Sequence, residues 1–174
     1  MKCIVMNSSV VIALSKLELL HLLAKLYDKV VIPAYVYREV VVEGSGKPGS
    51  RELQELLDSA DNVMLQEAED RKLVESLHDP LGWGEAEAIA IALENNCYVG
   101  LDDRIARNKA RSLNLEIIGT LGILRRAYDH NLISKDQFIN SIKRLKEFGF
   151  RISDDIIKEL IEKLNDKCRQ IDAL

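Results

Sequence analysis

The chain is poor in the residues that mark metal sites and disulfide-rich folds. It has only 3 cysteines and 3 histidines among 174 residues. Cys3, Cys97 and Cys168 lie far apart without C-x-x-C spacing, so the sequence predicts neither a zinc site nor a disulfide framework. We interpret Cys3 and Cys97 as small apolar strand residues. No histidine falls within a motif, which argues against a histidine general base.

Long apolar runs are also missing. No stretch reaches the roughly 18 to 20 apolar residues of a membrane helix, and the first six residues predict a strand rather than a signal peptide. We therefore expect a cytoplasmic protein that does not enter a membrane. The hydrophobic fraction of 47% and charged fraction of 30% are typical of a globular chain and exclude long disorder. A chain of this length predicts a single domain.

Charge is unevenly distributed. The net charge of −4 argues against a surface that is basic throughout, but residues 100–151 contain 11 Lys and Arg against 6 Asp and Glu. A local basic surface of this kind is compatible with binding a polyanion. A solvated helical face explains the same counts, and the sequence leaves both interpretations open.

Apolar runs of strand length alternate with segments of helical periodicity. Asn7-Ser8-Ser9 supplies N-cap residues for the first helix, and Ser134–Gln137 matches a capping box. The alternation predicts right-handed crossovers and an α/β fold, a three-layer α/β/α sandwich with a mainly parallel sheet. Strands are predicted at 2–6, 29–32, 62–65, 97–101 and 115–118, and later helices at 19–26, 34–42, 51–58, 69–77, 84–95, 103–113, 120–130, 134–148 and 153–165.

Polar and acidic residues follow two of these strands. Functional crevices of open parallel sheets lie at the carboxyl ends of the strands. Asn7 follows the first strand, and Asp102 and Asp103 follow the fourth. Clustered carboxylates are unfavourable unless a cation or a proton compensates, so this edge predicts a site. Capping the next helix is the alternative role for either aspartate.

Glu85 and Glu87 lie two positions apart on a predicted helix, so they point to nearly opposite sides. Glu85 shares its face with the apolar Ala88 and Ile89, whereas Glu87 lies in line with Glu94, which predicts a solvated face. We therefore expect Glu85 to face the crevice, with Glu87 as the second choice.

Five stretches occur in a recognisable order: Asn7–Ser9, Tyr37–Val40, Gly84–Ile89, Leu101–Arg104 and Ile118–Leu124. Together they resemble the PIN-domain nuclease superfamily. More narrowly, they resemble its VapC-like prokaryotic branch, common in archaea, with G-E-A-E-A-I and D-D-R motifs. The resemblance spans essentially the whole chain and implies a ribonuclease that depends on Mg²⁺ or Mn²⁺. It implies a PIN-like nuclease domain at 1–150 and a C-terminal helix at 151–174 that packs on it, in a single domain overall.

Position by position, the resemblance implies acids at Glu39 and Glu85, with a further acid at Asp102 or Asp103. Asp103 matches the T-x-D position of toxin relatives. The first acid of the family is Asn7 here, which keeps a carbonyl oxygen but loses a negative charge. The predicted catalytic residues are Glu39, Glu85, Asp102 and Asp103, and the predicted metal ligands are Asn7, Glu39, Glu85 and Asp103.

Arg104, Arg107 and Arg111 recur on one face of a predicted helix beside the acids and are the predicted phosphate contacts, together with Ser9. Ser9 either orients a water or phosphate at a helix N-terminus or only caps that helix. Arg104 has the alternative role of an ion pair with the neighbouring acids. Because aromatic residues make up only 5% of the chain, we expect recognition of RNA by backbone and shape rather than by base.

Two further functions compete with an active ribonuclease. The loss of an acid at Asn7 is compatible with a weakened or inactive PIN-like module that binds nucleic acid or protein. A phosphoacceptor receiver-like domain would need a lysine after its last strand, where this chain has Gly119-Thr120. Resemblance to toxins implies a homodimer that acts on RNA and pairs with an antitoxin protein.

Overall fold

A five-stranded sheet organises the residues that precede Ala127. The structure is a computed structural model that describes residues 2–153, 155–160 and 162. The strand order is β3-β2-β1-β4-β5, and every neighbouring pair is parallel. The strands are β1 Cys3–Met6, β2 Lys29–Pro33, β3 Val63–Gln66, β4 Tyr98–Gly100 and β5 Ile117–Ile118.

Helices connect the strands and cover both faces of the sheet. The predicted three-layer α/β sandwich is confirmed, with a sheet that is parallel throughout. Right-handed crossovers place α1, α2 and α4 on one face and α5–α7 on the other. The helices are α1 Ser8–Lys16, α2 Leu22–Leu26, α3 Ala34–Tyr37, α4 Ser50–Ser59, α5 Arg71–Leu81, α6 Trp83–Asn95, α7 Arg104–Ser112, α8 Thr120–Asp129 and α9 Lys135–Glu147, and a π-helical segment Arg38–Val42 continues α3.

Helix α6 packs over the centre of the sheet. Val5 of β1 and Val31 of β2 join its core, while their neighbours Ile4 and Val30 are also fully buried and point to the opposite face. Residues 86–92 of α6 are all buried because this helix is apolar on almost every side. The first turn of α6 is thereby held at the carboxyl edge of the sheet.

The chain divides into two units, residues 1–126 and 127–174. In the second unit the predicted capping box is confirmed, since Ser134 and Gln137 each accept a backbone N–H from the other. Of the helix predicted at 153–165, residues 155–160 and 162 are helical, and 154, 161 and 163–165 lie outside the described residues. No helix in the described part of the chain has the length and apolarity to cross a bilayer.

Cys3 and Cys97 form a disulfide, so the expectation that the cysteines form no disulfide is wrong. Cys3 begins β1, as expected, and Cys97 directly precedes β4. Ile4 of β1 pairs with Tyr98 of β4, which places the preceding residues of the two parallel strands side by side with their Cα atoms 4.9 Å apart. The linear spacing gives no sign of this bond, because it depends on β1 and β4 being neighbours in the sheet.

Candidate functional site

The candidate site lies where the direction of the chain through the sheet reverses. From β1 the chain moves outward through β2 to β3 at one edge of the sheet. It then crosses back to β4, on the opposite side of β1, so a topological switch point lies between β1 and β4. Asn7 directly follows β1, and its backbone N–H donates to the carbonyl of Gly100 at the end of β4. The residues after both strands therefore meet at one edge, as predicted.

A cleft of about 260 Å³ at this edge contains two of the predicted acids. The hydroxyl of Ser8 donates to Oε2 of Glu39, and Nδ2 of Asn7 donates to Oε1 of Glu85 over 3.3 Å. The structure thus brings together four predicted site residues, which are Asn7, Ser9, Glu39 and Glu85.

Gly84 allows the two glutamates to share the cleft. A Cβ atom on Gly84 would lie 2.7 Å from Oε2 of Glu39, so this carboxylate rests directly against the backbone of α6. Glu39 itself is carried by the π-helical segment Arg38–Val42, a geometry that is often found at functional sites. The Gly-Glu pair at the start of α6 therefore has a physical role, because the glycine makes room for the partner of Glu85.

The position of Glu85 in the cleft disfavours the ionised form of its carboxyl group. Burial, followed by the nearby charges of Asp103 and Glu39, raises the pKa of Glu85 to about 7, against the opposing effect of the hydrogen bond from Asn7. At neutral pH the carboxylate is therefore partly protonated. A cation in the cleft would favour its ionised form.

Asn7 is almost completely buried and its amide is already engaged. Its Oδ1 accepts from the backbone N–H of Ser8 as the N-cap of α1, and its Nδ2 donates to Oγ of Ser9 and to Glu85. The amide nitrogen, rather than the oxygen, faces the acids. The prediction that Asn7 is a metal ligand is untested. It requires the side-chain amide to rotate so that Oδ1, rather than Nδ2, faces the acids.

Asp102 and Asp103 do not line the cleft and both hold helix starts. Oδ1 of Asp103 accepts from the backbone of Ile105 and Ala106 as the N-cap of α7. Asp102 accepts from the backbone N–H and the hydroxyl of Thr120 over 2.9 and 2.6 Å, and burial raises the pKa of Asp102. Of the two, Asp103 is the one whose charge acts on Glu85, while Asp102 holds Thr120, the first residue of α8.

The predicted phosphate-binding arginines on α7 differ in exposure and in their hydrogen-bond partners. Arg107 is half-buried and donates to the carbonyl of Leu101 over 3.1 Å, and the exposed Arg111 donates to Asn108. Arg104 is exposed, and its side chain forms no hydrogen bond or ion pair with a described residue. The alternative of an ion pair between Arg104 and the neighbouring acids is therefore not seen among the described residues.

Glu87 is only 3% exposed, so its prediction as a solvated residue is wrong. Its carboxylate accepts from the backbone N–H of Tyr35 over 2.7 Å and of Ala68 over 3.4 Å. Burial raises the pKa of Glu87, and these two hydrogen bonds oppose the shift. A sequence signal for this role lies at Pro33, the residue before α3. Its side chain has no hydrogen-bond acceptor to cap the first turn of α3, so Glu87 accepts the backbone N–H of Tyr35 instead.

The cleft offers two carboxylates to a metal ion rather than a full cage of acids. Within the described ranges, no group of three or more Asp, Glu, His or Cys side chains has the geometry to hold a metal ion. Mg²⁺, however, is usually bound through one or two carboxylates together with waters. Glu39 and Glu85 supply such a pair, and burial of Glu85 beside the charges of Asp103 and Glu39 raises its pKa, which a bound cation would oppose.

Comparison with solved structures supports the fold. A PilT N-terminus domain protein from the hyperthermophilic archaeon Sulfolobus solfataricus P2 is similar, with a TM-score of 0.51 and 22% identity, covering 74% of this chain and 95% of the other. Comparison with curated proteins gives no match. The profile of the family DUF3368: PIN domain matches residues 3–166. The chain therefore belongs to this family of PIN domains.

Proposed function

We propose that this protein is an endoribonuclease that hydrolyses RNA phosphodiester bonds with Mg²⁺ or Mn²⁺. One observation carries the proposal, namely that Glu39 and Glu85 converge around Gly84 in a cleft at the switch point of the sheet. Two carboxylates that share one cleft are stabilised by a compensating cation or proton. Membership of a PIN-domain family supports a nuclease-type fold.

The residues in and near the cleft have different roles in such a reaction, namely ion binding, orientation of Glu85 and contact with phosphates. Glu39 and Glu85 would hold the ion, which would favour the ionised form of Glu85. A divalent ion in this place would supply an activated water and offset the charge that develops on the phosphate. Asn7 orients Glu85 through its N–H group. The exposed Ser9, near the N-terminus of α1, and the exposed Arg104 are placed to contact substrate phosphates.

The direct test is cleavage of single-stranded RNA by the full chain. We expect hydrolysis with Mn²⁺ or Mg²⁺ and none with a chelator. Glu39→Gln and Glu85→Gln should each reduce the rate by more than the roughly 10- to 100-fold typical of losing an outer-shell partner. Glu94→Gln is the matched control, since Glu94 lies on the same helix but is exposed and outside the cleft. Cleavage that survives chelation, or that tolerates both cleft variants, rejects the proposal.

A second candidate function is a PIN-like module that binds nucleic acid or protein without cleavage. The orientation of Asn7 favours it, because an N–H group compensates Glu85 where the family has an acid. This alternative expects no binding of Mn²⁺ in calorimetry and a gain of binding in Asn7→Asp. Mn²⁺ binding by the unchanged protein, together with cleavage, excludes it.

The proposal extends to a toxin of a toxin-antitoxin pair that acts as a homodimer on cytoplasmic RNA. Two exposed apolar side chains are candidate partner contacts, namely Val42 on the segment that carries Glu39 and Ile105 on the helix that Asp103 caps. Expression should arrest growth for the unchanged protein and not for Glu85→Gln. Sedimentation should give twice the monomer mass, and a monomer without growth arrest would reject this extension.

A further inference from the structure

A second cavity, of about 370 Å³, lies on the same edge of the sheet. Ala34 and Tyr35, which follow β2, form one side of it, and Glu67 and Ala68, which follow β3, form another. Because all strands are parallel, this cavity and the acid cleft open at the same carboxyl edge. The volume lies within the range of small-molecule sites.

The start of α6 separates the two cavities and contributes to both. Trp83 and Glu87 are four residues apart on one face of the helix and line the second cavity. Glu85, two residues after Trp83, points the other way into the acid cleft. A chain of nucleotides that crosses this helix start therefore reaches both cavities at once.

Aromatic rings form one wall of the second cavity. Trp83, the only tryptophan in the chain, is 39% exposed. Its ring stacks with that of Tyr35 at a centroid distance of 5.4 Å and an interplanar angle of 17°, and His78 lies 4.1 Å from it. Exposed aromatic surfaces of this kind stack with nucleobases irrespective of sequence, which departs from the expectation that RNA is recognised by backbone and shape alone.

Two arginines line the cavity together with three glutamates, Glu67, Glu75 and Glu87. Arg38 and Arg71 line the cavity and are paired with exposed glutamates over 2.9 and 3.2 Å. Exposed ion pairs contribute little to stability, so both guanidinium groups are available to a phosphate. Glu87 lines the cavity while remaining 3% exposed, and its oxygens keep acceptor capacity beyond the two backbone N–H groups that they already bind.

We propose that this cavity binds one nucleotide, with the base against Trp83 and Tyr35, its amino group toward Glu87, and the phosphate at Arg38 and Arg71. Free nucleotides and nucleotides within an RNA strand share this chemistry. The position beside the acid cleft assigns the cavity to the nucleotide next to the cleaved bond. In this assignment the inference rests on the proposed function and gives it a substrate-binding site.

Trp83 provides the measurement, because its fluorescence is the only tryptophan signal of the chain. The full-length protein is titrated in the presence of a chelator, with excitation near 295 nm, using cytidine and uridine tetranucleotides and the two monophosphates. We expect saturable quenching, tighter binding of the cytidine tetramer than of the uridine tetramer, because uracil has no amino group, and tighter binding of tetramers than of monophosphates.

The double variant Arg38→Ala/Arg71→Ala should weaken binding of the tetramer by about tenfold or more and flatten its salt dependence. Arg51→Ala is the matched control, since Arg51 forms a comparable exposed pair with Glu55 on α4 but lies outside the cavity. Its affinity should stay within about twofold of the unchanged protein.

The outcomes separate this inference from the proposed function, since no cleavage occurs under chelation. Cleavage with Mn²⁺ but without saturable quenching overturns the nucleotide site alone. Quenching without cleavage supports the site and rejects the nuclease. Equal binding by the double variant also overturns the site, and monophosphates that bind as tightly as tetramers overturn its assignment to an RNA strand.

Discussion

At Gly84 the backbone of α6 lies against the carboxylate of Glu39, and a Cβ atom there would stand 2.7 Å from Oε2. Alanine is a better helix former than glycine, by roughly 0.5–1 kcal/mol in a helix interior, and Gly84 lies in the first turn of α6. Glu39 is exposed, so its carboxylate can move aside at little cost to the fold. We therefore expect Gly84→Ala to keep or slightly raise the thermal unfolding temperature. Its affinity for Mn²⁺, measured by calorimetry, should fall by about tenfold or more, because the carboxylates no longer share the cleft.

The same substitution in a Glu39→Gln background is the control for this mechanism. If Gly84 acts by making room for the carboxylate, Gly84→Ala should cause no further loss of affinity once that carboxylate is removed. Additive losses in the double variant, or an unchanged affinity in Gly84→Ala alone, would contradict the role given to this glycine.

Glu85 predicts a pH-dependent stability. Its pKa is about 7 in the folded protein and 4.5 ordinarily, so folding favours the protonated form. This contribution to stability is complete below about pH 4.5 and is lost as the pH rises through 7. Without metal, Glu85→Gln should raise the unfolding temperature at pH 8 and have little effect at pH 4 to 5. Both temperatures are read by calorimetric melting.

Glu116→Gln serves as the reference, since Glu116 is exposed and lies outside the cleft. It should change the unfolding temperature equally little at both pH values. A gain for Glu85→Gln that is equal at pH 5 and pH 8 would show that relief of the buried charge is not its cause.

At the scale of elements, Asp103 combines a structural role with an electrostatic one. It caps α7 through two backbone N–H groups, and its charge raises the pKa of Glu85. Asp103→Asn keeps a good N-cap, whereas Asp103→Ala costs about 1 kcal/mol of stability. We expect both variants to lower the pKa of Glu85 in an NMR titration and to reduce RNA cleavage, with loss of stability in the alanine variant only. Cleavage by Asp103→Asn at the rate of the unchanged protein would show that Asp103 acts only as the N-cap of α7.

The regular elements follow from the sequence where periodicity and capping agree. The strand at Lys29 and the long helix after Trp83 are recovered to within about a residue, because both are strongly apolar and clearly bounded. Edge elements are less well predicted. The expected strand 115–118 shortens to Ile117–Ile118, since β5 has a single neighbour and pairs with only two residues of β4.

The candidate site likewise contains residues that the sequence predicts correctly and residues that it does not. Motif resemblance brought Glu39 and Glu85 together, and the structure places both in one cleft. The prediction of a solvated Glu87 is wrong because its partners, the backbone N–H groups of Tyr35 and Ala68, lie after two other strands. Periodicity within one helix shows which residues share a face, but it does not show what that face meets.

At the scale of the whole molecule, the parallel sheet separates stability from function. Both cavities open at the carboxyl edge, whereas Cys3 begins β1 and Cys97 precedes β4, at the opposite edge. A cross-link between residues 94 positions apart restricts the unfolded chain strongly. The disulfide should therefore influence folding without influencing either cavity.

Closing a loop of this length contributes about 4 to 5 kcal/mol in the chain-entropy model. The variant Cys3→Ala/Cys97→Ala should lower the unfolding temperature by roughly 10 °C, while its Mn²⁺ affinity and its Trp83 quenching by RNA tetramers stay unchanged. A reductant should lower the unfolding temperature of the unchanged protein toward that of the variant and leave the variant unaffected. If the variant lost Mn²⁺ or RNA binding while still folded, the two edges of the sheet would be coupled, and the separation of stability from function would not hold.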